Sequence, residues 1–126
     1  MRSAKQLFRA TGTNTTVQTG TIDVEEFHSV GVAVQITGLA GTSIALNWVD
    51  DAGNVLTIGG LSAPPIGNYE MSLGREVGET PTGTAFVAHL GSPFPVPRLI
   101  SVVVVVPATS TAVVTVFGAV DEPDNL

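Results

Sequence analysis

Two histidines and a scatter of carboxylates are the groups from which this sequence would have to build any chemistry. His28 and His89 carry no HxH or HExxH spacing, and without cysteine a zinc site would need both of them plus Glu25 or Glu26. Asp50, Asp51 and Asn54 surround Gly53 as calcium ligands can, but the EF-hand spacing and its distant glutamate are absent, so they read as turn formers. Nucleophilic catalysis needs a hydroxyl held against a base; no G-x-S-x-G elbow occurs, and neither histidine has a telling context. Glu70, Glu76 and Glu79 offer carboxylate pairs for glycoside chemistry, yet their spacing is that of a solvated loop. Neither GxxxxGK[ST] nor GxGxxG is present. No catalytic, metal or cofactor residue is assigned, and an enzyme is not expected.

Sugar binding would require exposed aromatic faces. Trp48 alternates in phase with Ile44 and Leu46, which makes it a core residue. Tyr69, beside Asn68 and near the Ala63–Gly67 turn, is the one candidate ligand contact.

Composition bounds the class. The chain has 126 residues, no cysteine, and a formal charge of −6 from eleven acids and five bases. That length suits one domain with a real core, held by burial and backbone pairing alone. The acidic balance argues against nucleic acid, whose binding needs clustered Lys and Arg. Only 13% of residues are charged, so much of the surface must be neutral.

The elements that must position these residues are strands. Val30, Val32, Val34 and Ile36 alternate with Gly31, Ala33, Gln35 and Thr37, the period of a half-buried strand. Residues 42–58 read as a hairpin whose turn is "DDAGN". Further strands are expected around Val17–Val24 with a glycine bulge at Gly20, and at 68–73, 84–90, 100–106 and 112–117. A turn or two around Ala4–Arg9 is the only helix candidate. The expectation is an all-β, antiparallel β-sandwich, Ig-like or jelly-roll-like, of about seven or eight strands with extended termini. A basic arm would occupy 1–15, the sandwich 16–120 and an acidic tail 121–126.

"RLISVVVVVPATSTAVVTVFG" at 98–118 is too interrupted for a membrane span, which needs about 20 apolar residues. Nor does the opening segment have the apolar stretch of a secretory signal, so a soluble chain not exported by that route is expected. In a strand, Ile100, Val102, Val104 and Val106 share one face; Ser101, Val103 and Val105 share the other. A closing hairpin through Thr109–Ser110 would set Val114 and Val116 opposite Val113 and Phe117. Ser101, Val103, Val105, Val114 and Val116 are then the candidate docking face, because uncovered apolar patches are rare on monomers. Arg2, Lys5 and Arg9 form a candidate docking arm, and "SPFPVPRL" at 92–99 is a stiff segment that either projects or leads into the hairpin.

The order "TGTNTTVQTGTIDV…VGVAVQITG", "SIALNWVDDAGNVL" and "PRLISVVVVV…STAVVTVFGAV" resembles the small all-β virion proteins of tailed bacteriophages. Among these are head decoration and minor tail proteins, particularly of phages of actinobacteria. The resemblance covers most of 11–119 and carries no catalytic residues. It implies multimeric attachment to a particle surface, with self-association (as trimers in decoration proteins) and major capsid or tail proteins as partners. The expected function is therefore a capsid decoration or cement protein that stabilises the head lattice. The alternatives are a minor tail protein and a carbohydrate-binding host-recognition module.

Overall fold

A computed structural model describes residues 2–74, 84–85 and 98–121, with side chains for 4–70 and 98–119. The strand candidate at 84–90 lies outside these residues beyond Ala85, as do most of "SPFPVPRL", the tail after Asp121, and Glu76, Glu79 and His89.

All the described regular structure is β: β1 (Arg2–Gln18), β2 (Ile22–Asp23), β3 (Ser29–Gly38), β4 (Ser43–Val49), β5 (Val55–Leu61), β6 (Gly67–Gly74), β7 (Thr84–Ala85) and β8 (Leu99–Asp121). They form one sheet in the order β5-β4-β8-β3-β6-β7, with β1 and β2 on the other edge of β8. Every pairing is antiparallel except β6 with β7.

The hub is β8. The expected closing hairpin does not form; 99–121 is one strand, bent near Pro107, whose missing N–H cannot serve a ladder, and Thr109 at φ 67°. Its first leg pairs with β4 (Val105↔Ser43 to Leu99↔Val49) and its second with β3 (Ser110↔Gly38 to Ala119↔Ser29). Along the opposite edge β1 follows both legs, from Arg2↔Asp121 to Gln18↔Val103, and turns the same corner at Asn14, φ 50°. Strands that bend from one layer to the next in this way curl a sheet around its own core.

Of the arm expected at 1–15, residues 2–15 belong to β1 and pair with β8, and Ala4–Arg9 is not helical. The physical reason is that Leu7, Phe8 and Ala10 pack against the core while the backbone pairs with β8. The expected strand at 17–24 is broken instead of bulged, since Gly20 at φ 69° turns the chain between β1 and β2. The hairpin at 42–58 is as expected, extended to Leu61.

Even-numbered residues of both β8 legs point inward. Ile100, Val102, Val104, Ala112, Val114 and Val116 are all fully buried, against Val30, Val32, Val34 and Ile36 of β3 and Ile44 and Leu46 of β4. Phe27 closes the open end, where Val24 donates to the Arg98 carbonyl and His28 to that of Ala119. Near the corner, Ser110 Oγ donates to the Leu39 carbonyl, while the buried Thr42 hydroxyl has no hydrogen-bond partner among the described residues. A desolvated hydroxyl costs stability that a methyl of the same shape does not. Thr42→Val is accordingly expected to raise the unfolding free energy by about 1 kcal/mol in urea titrations.

Candidate functional site

Two surfaces stand out among the described residues. The first is the outer side of the first β8 leg. Ser101 and Val103 are half-buried and Val105 is 49% exposed, all facing away from the core as alternation requires. Cross-strand neighbours are Thr16 and Ser43 beside Val105, and Gln18 and Ala45 beside Val103. This patch contains no charged side chain. At its end Asn47 Nδ2 donates to Ser101 Oγ at 3.3 Å and Thr57 Oγ1 donates to Asn47 Oδ1 at 2.8 Å. The buried Asn47, unremarked in the sequence, is thus the polar tie between three strands.

Val114 and Val116 do not belong to this face. Both are fully buried. Because β8 runs through its bend as one strand, even-numbered positions stay inward on both legs, and the outward residues of the second leg include Val113 and Phe117.

On that second leg the outer face is partly charged. Arg9 and Ala33 both pair with Thr115, and Glu70 pairs with Ala33, so the four residues form one row across four strands. Lys5 and Arg9 are exposed on β1, a strand whose outer edge pairs with no described residue. Basic residues along an edge strand are a usual guard against pairing with the wrong chain. The basic residues at 5 and 9 are thus presented on a rigid strand and not on a free terminus. Arg2 shares that strand, opposite Asp121.

Tyr69 is buried. It is 7% exposed, faces Val34 in the ladder, and its hydroxyl donates to the Pro65 carbonyl at 2.5 Å. Its neighbour Asn68 takes the solvent side, as β-alternation dictates.

The second surface lies on the β4–β5 hairpin. Trp48 keeps the inward phase of Ile44 and Leu46 but is 42% exposed, alongside Val55 at 60% and Leu56 at 59%. Ile100, its partner on β8, is fully buried. Core cover is therefore complete at the hub strand and gives out toward the β5 edge. Periodicity alone has no means of locating that boundary.

In the turn, Asp50 Oδ1 accepts from the backbone N–H groups of Ala52 and Asn54, and Oδ2 accepts from Asn54 Nδ2. The Asn54 side chain first, then these backbone donors, hold the Asp50 carboxyl below its ordinary range. A lowered carboxyl stabilises the fold above its unfolded-state pKa, near 3.9, and that contribution disappears as pH falls through the folded-state value. Beside the turn, Arg98 meets Asp51 at 3.2 Å and Asp23 and Glu25 at 3.7 Å. These exposed pairs tie the hairpin to the β2 segment but add little stability individually.

Among the described residues no group of three or more His, Cys, Asp or Glu side chains is arranged to hold a metal. No protein-family model and no curated protein matches the chain.

Proposed function

We propose that this protein is a non-enzymatic structural component of a phage particle, a decoration or cement protein that attaches to the head lattice. The observation that carries the reading is the uncharged outer face of Val103 and Val105 with Thr16, Gln18, Ser43 and Ala45. A solvated antiparallel sheet normally presents a polar outer face, whereas this one offers valines flanked by small neutral side chains, which suit burial against another protein. Lys5 and Arg9 supply positive charge on the neighbouring strand, complementary to an acidic capsid surface. In this reading the curled sheet is a β-sandwich of Ig-like or jelly-roll-like type, presenting its docking residues from rigid strands.

Such a protein works by mass action: what binds the assembled shell and not its separated subunits stabilises the shell. A stable attachment buries roughly 1,200–2,000 Å², and the valine face forms its centre. The test is co-sedimentation with particles. Val103→Asp and Val105→Asp should each abolish association while the variants remain folded, and normal loading of folded variants would refute the docking face. Lys5→Glu with Arg9→Glu should weaken loading more at low salt than at high salt, as expected of an electrostatic contribution.

A further inference from the structure

The hairpin that carries Trp48 has a binding geometry separate from the valine face. Asp50 and Asn54 flank the turn just beyond the ends of β4 and β5. Trp48 pairs directly with Leu56, and Asp50 N–H donates to the Asn54 carbonyl. Together with Val55 these residues line a cleft of about 190 Å³. The floor is apolar and aromatic, and the rim carries one charge, the Asp50 carboxylate. The Asp50 carboxylate accepts from the Ala52 and Asn54 N–H groups and from Asn54 Nδ2, which fixes its position on the rim and leaves part of its acceptor capacity for an incoming group. The same turn contacts favour its ionised form. Arg98, beside the turn, forms ion pairs with Asp51, Asp23 and Glu25.

A site with an indole wall, an apolar floor and a fixed anion favours a cation on an apolar stem. We propose that the Trp48–Leu56 cleft receives an arginine side chain from a partner protein, its stem along Val55 and Leu56 and its guanidinium against the indole and Asp50. A planar, weakly hydrated guanidinium stacks on an aromatic face better than a strongly hydrated ammonium does. The proposal goes beyond particle attachment and does not depend on it, since the residues involved lie away from Val103 and Val105.

Trp48 is the chain's single tryptophan, so its fluorescence reports the cleft directly. The full chain would be titrated with acetyl-Gly-Arg-Gly-amide, with the same peptide carrying citrulline, and with maltose. The arginine peptide should change Trp48 emission saturably, more weakly at high salt, and the neutral citrulline peptide should not. Asp50→Asn should weaken binding about fivefold, the loss of one close charge–charge contact at an exposed site. Leu56→Ser, at an exposed position, should weaken it too, and Val105→Asp should leave it unchanged. The proposal is overturned by an equal response to citrulline, by a saturable response to maltose alone, or by no saturable response to the arginine peptide. Native affinity in both Asp50→Asn and Leu56→Ser would overturn it equally, with far-UV circular dichroism establishing that each variant is folded.

Discussion

Val104→Asp is expected to yield no folded protein, whereas Val105→Asp, one residue along the same strand, leaves the fold intact. Val104 is fully buried, between Ile44 on one neighbouring strand and Val17 on the other. A carboxylate there has no cation to meet among its described neighbours, and an unpaired buried charge costs several kcal/mol. Domains of this size are stable by only about 5–15 kcal/mol, and the cavity and packing losses add to the charge. Val105 is half exposed, so its substitution changes stability by about 1 kcal/mol or less. Circular dichroism and urea titration separate the two outcomes. Similar behaviour of the pair would mean that the inward and outward sets on the first leg of β8 are wrongly assigned. Val114→Asp is expected to behave as Val104→Asp does, which distinguishes a single bent strand from the hairpin expected at the outset.

Gly38→Ala is the second large effect, with an expected cost of about 3 kcal/mol or more. Two penalties coincide at this position. Its φ of 90° disfavours any residue with a Cβ, and an added Cβ would lie 2.2 Å from the Thr109 carbonyl oxygen and 3.0 Å from Ser110 Cα. Both obstacles are backbone atoms of the β8 corner, which cannot swing aside as a side-chain tip would. Gly53 supplies the control, because its φ is 88° and an added Cβ meets nothing within 4 Å. Gly53→Ala should therefore cost only the backbone penalty, about 1 kcal/mol. The difference between the two urea midpoints measures how tightly β3 is seated against the corner; equal losses would show that Gly38 is not close to Thr109.

The two predictions rest on different levels of the molecule, and the sequence spoke to them unequally. Alternation at 30–36, 44–46 and 100–106 was legible because successive side chains of a strand must face opposite ways, a purely local rule. The turn at Asp50–Asn54 was legible for a similar reason, since Asp, Gly and Asn act on their own backbone within a few residues. The candidate outer residues Ser101, Val103 and Val105 followed directly from that rule. So did the preference for strands throughout the chain.

Partnership was not legible. Backbone hydrogen bonds are the same whichever strands make them, so nothing local declares that 99–121 continues through its bend or that β1 runs beside it for its whole length. The error over Val114 and Val116 came from that missing connection, and so did the reading of residues 1–15 as an arm. Solvent exposure was equally hidden, because it depends on how far the core extends. Tyr69 is inside because β6 lies beside β3, and Trp48 is exposed because cover runs out one strand beyond Ile100. By itself the sequence determined which way side chains alternate and where the chain turns. Only the tertiary structure decided which of those faces another part of the molecule covers, because cover is made by strands distant in sequence.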